Sequence, residues 1–209
     1  MYNLPYHKET EPSIVKDFVR KNPFAFLTAC DAENNAVATQ LPLLLEEQNG
    51  KEVLIGHIMK GTDHHKAFVD YQVLAVFSGK HTYVSGRWYS NPNTPSTWNY
   101  MSVHIKGKLR LVDKASLKEV LQKTSLHFED QNEQSPTVFH NLPSAFKKKA
   151  LDMIVGFEIQ IQEKDTVFKL SQDRDQQSYR NIIAKLKSQD ESGRIVAAEM
   201  EKRESRLFS

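Results

Sequence analysis

Apolar and polar residues alternate in short runs along most of this chain, and helical spacing is confined to a few segments. Residues 24–30, 36–45 and 52–58 read as strands, parted by a polar turn at 31–35 and by Asn49-Gly50. That is a meander of antiparallel strands with tight connections. Residues 73–77, 82–85, 155–161 and 166–170 extend the series. Residues 98–112 predict one long strand, with a bend or bulge at Gly107.

The helical segments are few. Pro12 opens a first turn, Ile14, Val15, Phe18 and Val19 follow at helical spacing, and Asn22-Pro23 stops it. Residues 62–71 predict a short helix capped by Thr62 or Asp63. Asp113 caps a helix to about Phe128 with Leu117, Val120 and Leu121 inward, and Pro143 opens another to Met153. From Gln176 the chain reads as helical and charged. Six or seven strands with connections too short for parallel crossovers predict a mainly β, α+β fold: an antiparallel barrel with peripheral helices. Residues 1–175 form the expected domain, with inserted helices, and 176–209 a C-terminal helical extension.

Composition narrows the function classes. The 209 residues suffice for a real core. A net charge of +2 gives no broad nucleic-acid footprint, which leaves only a local patch for DNA. The single cysteine, Cys30, excludes a disulfide framework and fits a cytoplasmic setting. No leader pattern opens the sequence and no apolar run spans a bilayer, so no membrane association is expected.

Four segments carry candidate chemistry. Gly56-His57 leads through Lys60, Gly61, Thr62 and Asp63 to Lys66, where ammonium groups, a hydroxyl and a helix start suit a phosphate; a solvated basic loop is the plainer reading. His57, His64 and His65 invite a metal, but neighbouring histidines diverge on a helix and no cysteine or glutamate motif completes a set, so no metal site is expected. Pro42, after Thr39-Gln40-Leu41, marks an edge strand with backbone groups free for a ligand. Both tryptophans flank one loop, in Tyr83-Val84-Ser85 to Trp88-Tyr89 and in Thr97-Trp98-Asn99-Tyr100. Aromatics, hydroxyls and an amide there suit a flat ligand, or else a core or an interface. Lys169-Leu170-Ser171-Gln172 with Arg174 gathers donors at a strand end, or approaches a helix capped by Ser171 or Asp173. No nucleophile elbow, P-loop or dinucleotide fingerprint occurs, so no catalytic residue is named; His57 and His104 are the only general acid or base candidates.

Together these blocks, with Val103-His104, Gly107 and Val155-Gly156-Phe157-Glu158-Ile159, resemble the PaiB-type family of FMN-binding negative transcriptional regulators. The resemblance runs from the N-terminus to about Leu186. It departs at Gln40, where the family usually has histidine, and at Lys60, Thr62 and Asp63, where it usually has an arginine and an Asn-Pro pair. It implies a flavin-reductase-like split barrel and a homodimer with FMN at the subunit interface. On that footing Lys60, Thr62 and Lys66 face the phosphate, beside His57, and Thr39 and Leu41 offer backbone groups to the ring edge. Asn99, Tyr100 and Ser102 reach across from the partner subunit, and Lys169, Ser171 and Gln172 close the pocket. Trp88-Tyr89 is expected to pack and shape the site. An FMN-dependent oxidoreductase and a haem-binding split barrel, with His57 or His104 as ligand, are the competing functions.

Overall fold

The computed structural model describes Tyr2 and residues 4–68, 71–91 and 93–208. Seven strands form one sheet: β1 (Phe24–Cys30), β2 (Ala36–Pro42), β3 (Leu44–Gln48), β4 (Lys51–Met59), β5 (Gln72–Val84), β6 (Thr97–Leu111) and β7 (Ile154–Lys169). Their order is β2-β1-β5-β6-β7-β4-β3. The pairs β1–β2, β1–β5, β3–β4 and β4–β7 are antiparallel. The helices are α1 (Pro12–Lys21), α2 (Asp63–Phe68), α3 (Lys114–Phe128), α4 (Ser144–Met153), α5 (Gln176–Lys187) and α6 (Glu191–Leu207). The α+β class and the antiparallel pairing expected from the sequence are present, but the meander expected over 24–58 is not: β1–β2 and β3–β4 are separate hairpins at the two ends of the strand order.

The chain folds into two compact units, each assembled from separate stretches. One comprises Met1–Phe18, Ser78–Val103 and Asp165–Ser209; the other comprises Val19–Phe77 and His104–Lys164. In the second unit, Asp113 caps α3 by accepting from Ser116 N at 2.8 Å. Val120 of α3 then packs on Leu44, Val53 and Ile55 of the β3–β4 hairpin. Leu117 and Leu121 join Phe139 in a neighbouring cluster. In the first unit, α5 and α6 bury Tyr179, Ile182, Leu186, Val196 and Met200 completely. The N-terminal segment is stitched to β7 there: Thr166 Oγ1 accepts from Glu9 N and donates to Glu9 O, both at 2.9 Å. The Glu9 carboxylate reaches Arg203 of α6 at 3.0 Å, with both side chains buried.

Five details differ from the sequence reading. The strand expected over 36–45 breaks at Leu43, because Pro42 has no N–H and Leu43 N donates instead to Pro23 O at 2.8 Å. β2 then pairs with β1 and β3 with β4. The strands expected at 73–77 and 82–85 are one strand, β5, and those at 155–161 and 166–170 are one strand, β7. Pairing with neighbours keeps their polar middles extended. In β7, Glu163 meets Lys106 at 3.1 Å, and Lys164 is paired with Glu52. Gly107 does not interrupt β6, which runs through it; a Cβ there would lie 2.3 Å from Gln160 O, so the backbones approach too closely for any side chain. The helix expected over 62–71 is α2, whose turn is capped by Thr62 Oγ1 accepting from His65 N at 3.3 Å; Val69 and Asp70 lie outside the described residues. Neither Ser171 nor Asp173 caps the following helix. Asp175 does, accepting from Ser178 N at 2.9 Å.

Two outcomes follow. Gly107→Ala is expected to lower stability by about 1–3 kcal/mol in urea unfolding, since the blocking atom is backbone and cannot swing away. A cost within error would mean that β6 and β7 separate freely. The hydrogen bonds from Ser178 and Ser90 hold the Asp175 carboxyl at a pKa of about 2, below its ordinary 3.8. A depressed folded-state pKa stabilises above the ordinary value and is lost as pH falls through the folded one. Asp175→Ala should thus cost about 1 kcal/mol at neutral pH, and the gap to wild type should close as pH falls from about 4 to about 2. A pH-independent gap would assign the loss to packing.

Candidate functional site

In the second unit the phosphate candidates lie on the turn after β4. Lys60 N donates to Met153 O at 2.9 Å and its Nζ to Asp152 O at 2.8 Å, so its ammonium stands at the C-terminal end of α4, where carbonyls collect negative charge. Thr62 Oγ1 donates to Met59 O at 3.0 Å. Gly61, at φ 78°, donates its N–H to His65 Nδ1 at 3.2 Å. Asp63 accepts from His64 N at 2.7 Å. Lys66 is exposed on α2. Two ammonium groups and a hydroxyl within one turn suit a phosphate, and the Asp63 carboxylate opposes it.

His57 lies opposite Gly156 in the β4–β7 ladder. It shares its face of β4 with Val53 and Ile55, the face covered by α3. Its Nδ1 is buried with no hydrogen-bond partner, and burial holds the imidazole below the usual histidine range. β2 is an edge strand, as Pro42 predicts; Thr39 and Leu41 pair with Leu27 and Ala25 of β1 on one side only. Their strand therefore offers backbone donors and acceptors along its outer edge.

In the first unit Trp98 is 53% exposed at the start of β6, with His81 and Tyr83 of β5 each 5.9 Å from it, ring centre to ring centre. Asn99 turns the other way and is fully buried, donating to Met200 Sδ at 3.5 Å and accepting from Ser171 Oγ at 2.9 Å. Ser102 is also buried, and Tyr100 is partly exposed. Lys169 donates to Trp98 O at 2.8 Å and to Thr97 Oγ1, and burial lowers its pKa. Tyr89 is buried with its guanidinium neighbour Arg174 4.8 Å from its ring centre.

Sequence reasoning placed Ser171 and Gln172 together but missed what joins them. Ser171 has φ 63°, a left-handed conformation that a serine adopts at a cost of roughly 1–2 kcal/mol. The Gln172 side chain braces this turn: it donates to Phe168 O at 2.5 Å and accepts from Leu170 N at 2.7 Å. His7 Nδ1 donates to the same Gln172 oxygen at 3.1 Å. The buried Arg203, which also contacts Glu199 at 2.8 Å, was missed too, since nothing local in a charged helix marks a buried arginine. Asp175 was missed as the cap, although an aspartate directly before the helical run, three residues ahead of Ser178, is a local signal for one. Among the described residues no three His, Cys, Asp or Glu side chains lie together as a metal set.

The residues fit FMN in kind. The 60–66 turn supplies cations for a phosphate, the β2 edge supplies backbone partners for a polar ring edge, and Trp98 presents an open aromatic face. The unfolded chain binds a proton at His57 before the folded one does, so this residue favours the fold above about pH 6.5 and that benefit drains as pH falls. Wild type is expected to lose more stability than His57→Asn between about pH 7.5 and 5.5, measured by urea midpoints. Equal losses would show that the imidazole is readily solvated when protonated.

Residues 1–163 match the family described as "Putative FMN-binding domain". Protease synthase and sporulation protein PAI 2 of Bacillus subtilis (strain 168) is 31% identical over 201 residues, which span 96% of each chain. The fold is similar to that of the FAD and haem binding protein from Mycobacterium smegmatis, with a TM-score of 0.60 at 14% identity over 78% of this chain and 73% of that one. The flavocytochrome Anf3 from Azotobacter vinelandii gives a TM-score of 0.60 at 16% identity, over 80% of this chain and 72% of that one. The PaiB-type resemblance thus holds, and the chain belongs to this FMN-binding domain family.

Proposed function

We propose that this protein is a PAI 2-like regulator that holds FMN at the interface of a homodimer, closed as a split barrel. The observation that carries the reading is the open aromatic face of Trp98, flanked by His81 and Tyr83, in a chain of the FMN-binding family. A flat ring or a second subunit covers such a face with large gain. Residues 1–175 are the flavin-binding part, and 176–209 are an extension that braces it.

Bound FMN supplies a flat ring that takes up and returns electrons and protons. Lys60, Thr62 and Lys66 hold the phosphate, with Lys60 exchanging its bond to Asp152 O for one to the ligand. His57 sits behind that turn as a neutral imidazole. Thr39 and Leu41 present backbone groups to the ring edge. Tyr100 and Lys169 of the partner subunit approach from across the interface. Asn99, Ser102, Ser171 and Gln172 act one step back: the buried Asn99 bonds Ser171 and the half-buried Gln172 braces the turn, so together they fix where Trp98 and Lys169 stand. A positive charge beside the pyrimidine edge of the ring would favour the anionic reduced flavin, and Lys169 is suited to that place.

The test is a titration of the purified protein with FMN, read by flavin fluorescence, together with sedimentation. A dimer that binds one FMN per chain is expected, and Lys60→Ala should weaken it by on the order of tenfold through loss of a charge-assisted contact. Unchanged affinity in Lys60→Ala removes the phosphate assignment, and a monomer removes the interface. NAD(P)H turnover would favour a flavin oxidoreductase, and a Soret band after haem addition would favour haem. Bound flavin without turnover, plus a shifted operator fragment at physiological salt, fits the regulator.

A further inference from the structure

A cavity of about 740 Å³ lies between α3 and α4 in the second unit. It is the size of a small-molecule site. Its walls are set by helical spacing. From α3 come Lys118, Glu119, Gln122 and Lys123, and from α4 come Ser144, Lys147, Lys148 and Leu151, one face of each helix. Phe139 and Leu151 provide apolar floor, and the lining surface is mostly carbon. α4 has no fully buried residue; Leu151 packs against the Leu117, Leu121 and Phe139 cluster, while Phe146 and Met153 stay exposed.

The rim is cationic, with four lysines against one glutamate. Two of the lysines are engaged: Lys123 with Glu46 at 2.5 Å, and Lys147 with His140 O at 2.8 Å. Lys118 and Lys148, one on each helix, have no partner among the described residues. An apolar trough flanked by two uncommitted ammonium groups matches one ligand chemistry: an alkyl chain that ends in a carboxylate. The chain takes the carbon-lined floor, where burial is favourable per methylene. The carboxylate takes the ammonium groups, where a charge-assisted hydrogen bond is favourable. A neutral or cationic amphiphile lacks the second half of this match.

We infer that the α3–α4 groove is a binding site for a free medium-chain fatty carboxylate, separate from the residues assigned to FMN. The site needs no flavin and no second subunit, so it stands apart from the function proposed above.

The test is calorimetry of the full-length protein with octanoate, decanoate and dodecanoate below their micellar concentrations. Saturable binding of one anion per chain is expected, tightening by about twofold to fourfold per added methylene. Decanol should bind at least about tenfold more weakly than decanoate, because it carries no charge. The exposed double variant Lys118→Glu/Lys148→Glu should lose decanoate binding by at least about tenfold, with an unchanged circular dichroism melt and unchanged FMN titration. Leu151→Asp, which places a carboxylate in the floor, provides a second disrupting change. Absence of saturable heat, equal affinity for decanol, or full affinity in the double variant would overturn the inference. So would attachment to anionic vesicles without binding of the free carboxylate.

Discussion

The ladder between β4 and β7 runs unbroken from Val53 opposite Gln160 to Met59 opposite Ile154, and it sets the register of the second unit. Side-chain direction alternates along it, so a slip of one residue would turn every side chain to the other face. The packing forbids such a slip. Gly56 lies opposite Phe157, and a Cβ at Gly56 would meet that ring at 2.8 Å. On the other face His57 lies opposite Gly156, where a Cβ would meet Leu117 of α3 at 3.1 Å. Aromatic and helix are thus each seated against a position without a side chain. The same register delivers Lys60 to the last carbonyls of α4.

The first unit depends on a different kind of contact. Glu9, Thr166 and Arg203 come from the N-terminal segment, β7 and α6; they are buried and, with the half-buried Glu199 of α6, they satisfy one another. Arg203 also lies over the Phe168 ring at 5.2 Å. A buried guanidinium is costly without such partners, and removing one of them leaves the others unpaired. The turn at Ser171 is secured in the same way, by amide groups of Gln172 and by Asn99. Its strain is local and its support comes from three separate segments.

Function in this protein divides between groups that are spent on the fold and groups that are left open. Asn99, Ser102 and Ser171 are buried, and Asn99 and Ser171 bond to each other. Trp98, Tyr83 and His81 remain exposed beside them, and Lys66, Lys118 and Lys148 carry charge at the surface. Exposed aromatic surface and uncommitted ammonium groups are what a ligand meets. The buried amides and hydroxyls decide where those groups stand.

Much of the architecture was legible in the sequence because its causes are local. Proline and asparagine punctuation placed α1, the β1–β2 turn and the β3–β4 turn, and Asp113 marked the start of α3. Pro42 announced an edge strand because a residue without an N–H cannot sit in a central one. The family blocks around Trp98 and Lys169 named the region of the candidate site. What the sequence could not decide has non-local causes. Polar stretches at 78–81 and 162–165 look like loops by composition, and only pairing partners far along the chain make them strand. Gly107 looked like a kink until Gln160 O came to lie against it. Residue types determined the chemistry that each segment carries. Tertiary packing alone determined whether Asn99 or Trp98 faces outward, because burial depends on neighbours that no local pattern contains.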